Sequence, residues 1–202
     1  MNVLVINCSP KQTESSSYYV AQSMIATLSN SVPVEVEIID ATRLPHIDSA
    51  YADALCSPDC HHDLSVGSLA LSEQLIASLD AADMVIIASP MHNYSVPSSL
   101  KSWIDHVVRA GKTFKITATG KHPLLEAKPV YILVSSGSTF SGEAAYQPDF
   151  FTPYMQAVLA TIGQNQVFFF PIEGTVSTKA FVQQKIETIQ RRVSEHLAAT
   201  VM

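Results

Sequence analysis

Apolar runs typical of strands alternate along the chain with amphipathic runs typical of helices. Short continuous apolar runs occur at residues 3–6, 84–88, 130–134 and 167–170. Such runs are expected of strands buried on both faces, as in a parallel sheet covered by helices, and the last three belong near the centre of the sheet. Between residues 34 and 38, valine and isoleucine alternate with glutamate, which predicts a strand at a sheet edge.

Apolar residues at helical spacing separate these strands. They predict helices over residues 71–79, 100–108 and 182–197, with Ser98 or Ser99 as the N-cap of the second. Alternating strands and helices are typical of a mostly parallel sheet with helices on both faces. We therefore expect one doubly wound α/β domain with a five-stranded sheet.

The segment from Leu44 to Ser65 shows no period and holds two prolines. Such a segment is typical of a long loop rather than of a linker between two domains. A chain of 202 residues is also of the size expected for one domain. We therefore assign residues 1–202 to a single domain.

Composition and charge exclude several functions. The chain is 47% hydrophobic and only 15% charged, which is typical of a well-packed enzyme and not of a disordered protein. Its net charge is −6, and no basic cluster exceeds Arg191-Arg192, which argues against nucleic acid as a partner. No apolar run approaches the roughly 20 residues of a membrane helix. Three cysteines without a secretion signal predict reduced thiols, so we expect a cytoplasmic protein without a membrane partner.

The candidate chemistry lies in loops that follow the predicted strands, because open doubly wound sheets bind ligands beyond the carboxyl ends of their strands. The loop after the first strand contains Ser9, Ser15, Ser16 and Ser17. Hydroxyls together with the free amides of a helix start bind anions. The glycine-rich motifs of dinucleotide and triphosphate sites do not occur in the sequence. This loop therefore predicts a monophosphate site, such as one for FMN.

Two further loops supply surface for a flat ring. The loop after residues 84–88 contains Met91, His92, Asn93 and Tyr94. The loop after residues 130–134 contains Ser135, Ser136, Gly137 and Ser138. The first combines aromatic and thioether surface with amide donors, and the second is a small turn whose backbone can approach a ring closely. Because all three loops leave the same edge of the predicted sheet, we expect them to form one flavin site.

Two segments carry a resemblance to a known family. Pro90-Met91-His92-Asn93-Tyr94 and Arg109-Ala110-Gly111-Lys112-Thr113-Phe114 resemble the FMN-dependent NADH-azoreductases and quinone reductases. That family usually has Pro-Met-Tyr-Asn-Phe and Arg-Ala-Gly-x-Thr-Phe at these places. The similarity runs from Ser9 through Thr152-Pro153-Tyr154 to the last helix. It implies a flavodoxin-like fold whose five parallel strands have the order 2-1-3-4-5.

The resemblance also implies an activity. Family members pass a hydride from NADH or NADPH to FMN and then to quinones or aromatic azo compounds, as homodimers with FMN near the subunit interface. Carried over by position, serines 9 and 15–17 hold the phosphate, residues 91–94 lie along the isoalloxazine, and residues 135–138 lie at its far side. No catalytic residue of the protein is expected, because the flavin N5 accepts the hydride.

Three departures from the family pattern concern the electron acceptor. His92 stands where the family commonly has tyrosine, and Ile116 and Thr161 stand where aromatic residues are expected near the substrate. Since aromatic walls stack flat substrates, azo activity is an open question. Two other functions also remain open. One is an NADPH-dependent reductase of FMN or chromate, because residues 93–97 also resemble the sequences of that sister group. The other is a flavodoxin-like electron carrier, which is usually more acidic than this chain.

Other reactive residues have simpler interpretations. Cys56, Cys60, His61 and His62 form a cluster with the composition of a zinc site, but zinc ligands usually come from two separated knuckles, so we expect no metal. Cys8 is expected to pack in the core rather than to act as a nucleophile. For His92, both ring packing and proton donation to a reduced acceptor are open.

Overall fold

The computed structural model of the chain describes residues 1–56 and 69–200, with only the backbone of Cys56. The strands of the described residues are β1 Asn2–Asn7, β2 Glu35–Asp40, β3 Met84–Pro90, β4 Phe114–Thr117, β5 Gly120–Pro123, β6 Val130–Ser136 and β7 Val167–Glu173. The helices are α1 Ser16–Ser29, α2 Ser49–Cys56, α3 Ala70–Ala81, α4 Ser98–Val107, α5 Phe151–Thr161 and α6 Lys179–Thr200. None of these helices is long and apolar enough to cross a membrane.

Five strands form one parallel sheet with the order β2-β1-β3-β6-β7. The chain runs outward from β1 to β2 and then crosses to β3 on the other side of β1. The strand order therefore reverses between β1 and β3, which is where such sheets bind ligands. The predicted α/β class, with a five-stranded parallel sheet, is confirmed.

Successive residues of each strand face two separate apolar cores. Leu4 and Ile6 of β1 face the core that contains Trp103 of α4, together with apolar side chains of α3 and α5. Val3 and Val5 face the other core, which is closed by α1 and α6. Trp103 is fully buried, as its place in the predicted apolar stripe implied. The helices thus cover both faces of the sheet.

One edge strand of the sheet agrees with the prediction, and the other does not. Strand β2 is an exposed edge, as its alternating pattern indicated. The prediction that residues 167–170 lie near the centre was wrong, since β7 forms the opposite edge and is mostly only half-buried. Phe168 and Phe169 pack against different cores from this edge. An edge strand covered on both faces has the same continuous apolar pattern as a central one.

Four elements were not predicted: the helices α2 and α5 and the strands β4 and β5. Helix α2 lies within the segment from Leu44 to Ser65 that was expected to be a loop. The carboxylate of Asp48 accepts a hydrogen bond of 2.8 Å from the amide of Tyr51, whose side chain is buried. A helix of eight residues anchored by one aromatic side chain leaves no periodic stripe in the sequence. The antiparallel hairpin β4–β5, with four residues in each strand, was also missed.

The start of α4 is uncapped by any side chain. The predicted serine cap was wrong, because Pro97 is the N-cap and makes no side-chain hydrogen bond to the helix. The hydroxyl of Ser99 instead donates to the carbonyl of Cys8 at 2.7 Å. This bond ties the beginning of α4 to the loop that follows β1.

Candidate functional site

A cavity of about 270 Å³ lies at the carboxyl ends of β1, β3 and β6. Seven of the residues predicted from sequence line it: Ser9, Ser15, Ser16, Met91, His92, Ser135 and Gly137. They come from three separate loops, and the cavity lies where the strand order reverses. The structure therefore brings the three candidate loops together around one space.

Five other predicted residues do not line this cavity: Ser17, Asn93, Tyr94, Ser136 and Ser138. Ser17 is fully buried in α1, with its hydroxyl 2.9 Å from that of Ser15. The buried hydroxyl of Ser136 accepts a hydrogen bond of 3.2 Å from the amide of Ser138. Both hydroxyls are therefore buried and hydrogen-bonded to neighbouring residues of their own segments.

The start of α1 presents unpaired amides beside the cavity. Ser15 is the N-cap, but its side chain accepts no hydrogen bond from the helix. Within the described residues, the amides of Ser16, Ser17 and Tyr18 also have no acceptor. Free amides at the positive end of a helix dipole attract anions, and Lys11 on the cavity wall adds a cation. This donor set fits a phosphate group.

Backbone strain is concentrated in the loops of this site. In the described part of the chain, the non-glycine residues with positive φ are Gln12 at 48°, Asn93 at 48° and Tyr94 at 70°. Asn93 and Tyr94 form a tight turn closed by two backbone hydrogen bonds of 3.0 Å between His92 and Ser95. Such turns favour Asn-Gly, so a tyrosine costs about 1–3 kcal/mol there. Because strained residues cluster at functional sites, these three residues support the interpretation of the cavity as a functional site.

A carboxylate holds the loop that follows β6. One oxygen of Glu173, at the end of β7, accepts hydrogen bonds from the amides of Phe140 at 2.7 Å and Ser141 at 2.8 Å. The end of β6, from which this loop leaves, is joined to the loop after β3, because the amide of Met91 donates to the carbonyl of Ser135 at 2.7 Å. The relative position of these two loops is thus set by hydrogen bonds rather than by apolar packing alone.

Replacing Glu173 with alanine is expected to lower the free energy of unfolding by about 1–3 kcal/mol, because two amides lose a charged acceptor. Glu173→Gln keeps an acceptor oxygen and should lose less than half as much. Urea denaturation measures both values, with the exposed Glu195→Ala as the control. The interpretation fails if Glu173→Ala is as stable as the wild-type protein, or if Glu173→Gln is equally damaging.

Six residues of the cavity wall were not predicted from the sequence: Pro10, Lys11, Glu14, Pro90, Thr175 and Val176. Thr175 and Val176 follow β7, whose carboxyl end lies at the same sheet edge as those of the other strands. The rule that located the first three loops also applies to this fourth loop. Lys11 could have been recognised as a cation within a hydroxyl-rich loop.

A second cavity of about 180 Å³ shares Pro10 and His92 with the first. Thr42, His46 and Ser98 are also among its lining residues. His92 is exposed and borders both cavities. Its role as a proton donor stays a prediction.

The segment 109–114, which carries the family resemblance, lies outside both cavities and links helices. The buried guanidinium of Arg109 donates to the Ser72 hydroxyl at 2.8 Å and forms an ion pair with Glu73. Lys112 Nζ lies 3.1 Å from the same carboxylate. Desolvation acts to raise the pKa of Glu73, but the hydrogen bonds and charges of Arg109 and Lys112 outweigh it and lower the pKa overall.

The remaining candidates lie away from the cavities. Ile116 is 73% exposed on β4, and Thr161 donates to the carbonyl of Ala157 at the end of α5. Cys8 is fully buried, and its burial raises the pKa of the thiol far above the ordinary value, as expected of a packing residue.

Most of the candidate zinc cluster falls in a part of the chain that the structure does not describe. Cys60, His61 and His62 lie outside the described residues, as does the side chain of Cys56. Over residues 1–55 and 69–200, no group of three or more histidine, cysteine, aspartate or glutamate side chains could hold a metal ion.

Comparison with known proteins assigns the chain to a family. The family model described as the flavodoxin-like fold, Flavodoxin_2, matches residues 1–197. The FMN-dependent NADH:quinone oxidoreductase 5 of Burkholderia lata is 41% identical over 184 residues, which cover 90% of this chain and 89% of the relative. The chain belongs to the flavodoxin-like family of FMN-dependent NADH:quinone oxidoreductases.

Other members of this family are similarly close. FMN-dependent NADH:quinone oxidoreductase 2 of Cupriavidus pinatubonensis is 39% identical over 191 residues, covering 93% of each chain. Among solved structures, an FMN-dependent NADH-azoreductase from Bacillus anthracis in complex with FMN covers 100% of both chains, with a TM-score of 0.85 and 21% identity. At that identity, the likeness shows a shared fold.

Proposed function

We propose that this protein is an oxidoreductase that uses NADH or NADPH to reduce a quinone or an aromatic azo compound, with FMN bound in the 270 Å³ cavity. The observation that carries the proposal is the meeting of three loops around this cavity, next to the unpaired amides of α1. Membership of the quinone oxidoreductase family supports the same activity.

The chain's own residues would bind and orient the cofactor. Ser9, Ser15 and Ser16 would hold the phosphate together with the free amides at the start of α1, which include that of Ser17. Met91 and His92 would lie along one side of the isoalloxazine, and Ser135 and Gly137 along the other. A bound FMN supplies the ring that accepts and passes on the hydride, so no acid, base or nucleophile of the protein is required.

The domain organisation of the chain and its assembly follow the pattern of the same family. We propose a single domain over residues 1–202, and the order β2-β1-β3-β6-β7 supports the flavodoxin-like sheet order 2-1-3-4-5. We also propose a homodimer, because Tyr94, Tyr146 and Phe150 are exposed on the loops after β3 and β6. Exposed apolar side chains grouped in this way are typical of an interface. A cytoplasmic location stays a prediction from the cysteine content.

For the acceptor, we propose that quinones are reduced better than azo dyes. The names of the family members at 41% and 39% identity support this choice. The choice is also supported by Ile116 and Thr161, which stand at positions where the resemblance leads one to expect aromatic residues. The aliphatic and the small side chain offer no stacking surface to an extended dye.

The first test is a visible spectrum of the purified protein after incubation with FMN and desalting, repeated without oxygen after addition of NADH. We expect retained yellow flavin that NADH or NADPH bleaches and an added quinone restores. Loss of all flavin on desalting, or flavin that both nicotinamides leave unchanged, would refute the proposal.

Steady-state assays separate the alternatives. Faster turnover of chromate or of free FMN than of quinone, with NADPH preferred, would favour the FMN and chromate reductase. Tight flavin binding without any oxidation of NADH or NADPH would favour a flavodoxin-like electron carrier.

A further inference from the structure

We infer that Gln12 is a positioning residue that makes the cavity selective for a phosphorylated flavin over its unphosphorylated form. This inference rests on the proposed function. Gln12 lies in the loop between Ser9 and Ser15, both of which line the cavity, but Gln12 itself does not line it. Its effect on a ligand must therefore pass through the loop.

The backbone of Gln12 adopts a conformation that glutamine rarely takes. Its φ of 48° lies in the left-handed region, which favours glycine and asparagine. A glutamine persists there only when its surroundings hold it in place. The contacts of its side chain show what holds it.

Three partners engage both ends of the Gln12 amide. The Oε1 atom accepts a hydrogen bond of 2.9 Å from the side chain of Asn7, the last residue of β1. The Nε2 atom donates to Asp40 at 2.9 Å and to the hydroxyl of Thr42 at 3.1 Å. Asp40 is the last residue of β2 and the register partner of Asn7. We call Asn7, Gln12, Asp40 and Thr42 the Gln12 latch.

The carboxylate of Asp40 keeps the latch in one orientation. An ionised carboxylate can only accept hydrogen bonds, so the amide nitrogen of Gln12 must face it. Asp40 also accepts hydrogen bonds from the amide and the hydroxyl of Thr42, and it forms an ion pair with Arg43. Because charge-assisted hydrogen bonds are stronger than neutral ones, Asp40 makes the strongest contacts of the latch.

The latch acts on the anion site through the backbone of the loop. The amide of Gln12 donates to the carbonyl of Ser9 at 3.1 Å, and its carbonyl accepts from the amide of Ser15 at 3.1 Å. Ser15 immediately precedes the unpaired amides that begin at Ser16. A change in the conformation of Gln12 therefore moves the phosphate donors relative to β1, while the loops after β3 and β6 stay where they are.

This arrangement predicts an effect on the phosphate and little effect on the ring. Gln12→Glu keeps the shape of the side chain but sets a carboxylate against Asp40, and Gln12→Ala removes the latch. We expect both variants to bind FMN ten- to a hundredfold more weakly, with less than a threefold change for riboflavin, which lacks the phosphate. Titration of flavin fluorescence measures the two dissociation constants, and Gln184→Glu on the exposed face of α6 is the control.

Two further variants keep the test decisive if these fold poorly. Gln12→Gly removes the backbone strain together with the latch. Asp40→Asn removes the charge that strengthens the hydrogen bond from Gln12, but it keeps an acceptor oxygen. Both should lower the ratio of FMN to riboflavin affinity in protein whose circular dichroism is unchanged.

A ratio of FMN to riboflavin affinity that is the same in the variants as in the wild-type protein would overturn the inference. The proposed function would still stand in that case, because the wild-type protein binds FMN. If the wild-type protein binds neither flavin, the proposed function itself fails.

Discussion

Ser16→Asp is expected to weaken FMN binding by about a hundredfold to a thousandfold without harming the fold. Ser16 is the first residue of α1 and lines the cavity beside the proposed phosphate. Two unit charges about 4 Å apart interact by about 4 kcal/mol at the effective dielectric constant of a protein surface, and each 1.4 kcal/mol changes affinity tenfold. A carboxylate in the first turn of a helix, by contrast, stabilises it by about 0.3–1 kcal/mol.

The opposite signs of these two effects make the experiment informative. Ser16→Asn has the size of aspartate without its charge and serves as the matched control. Flavin titration should show a large loss for FMN and a small one for riboflavin in Ser16→Asp, whereas thermal unfolding of the flavin-free protein should be unchanged or slightly higher. If Ser16→Asp and Ser16→Asn bind FMN equally well, the phosphate does not lie at the start of α1.

The second large effect concerns the ion pair between α3 and the segment after α4. Glu73→Ala is expected to lower the free energy of unfolding by about 3 kcal/mol, near the lower end of the range for breaking a buried pair. The guanidinium of Arg109 is only 4% exposed and would keep the Ser72 hydroxyl as its partner. The Glu73 side chain is 24% exposed, which limits the loss. Glu73→Gln, which keeps an acceptor, should lose less.

The pH dependence of this loss has a defined sign. Because the pKa of Glu73 is lowered from its ordinary value of 4.5, the carboxylate stabilises the fold fully above that pH. The stabilisation disappears as the pH falls through the lowered pKa. Urea denaturation at pH 7 and at several values below 4.5 should therefore show the difference between wild type and Glu73→Ala shrinking in acid. A difference that is constant with pH, or below about 1 kcal/mol at pH 7, would contradict this account.

Much of the fold and the location of the candidate site could be predicted from the sequence alone. The continuous apolar runs of β1, β3 and β6 identify buried strands because a strand covered on both faces needs apolar residues at every position. Parallel strands bring their carboxyl ends to one edge, so the loops that hold Ser9, Met91 and Ser135 could be grouped before the structure was known.

Only the tertiary structure decided how these loops are held. Gln12 and Asp40 are 28 residues apart, Glu173 and Phe140 are 33 apart, and Glu73 and Arg109 are 36 apart. Such polar pairs leave no periodic signal, because each depends on the register of strands and the packing of helices that are distant in sequence. The hydrophobic pattern alone also did not show the edge position of β7, whose residues pack against both cores, or the short helix α2, which is anchored by one buried aromatic side chain. Local pattern reports how a residue is buried, whereas its partner is determined by the assembled sheet.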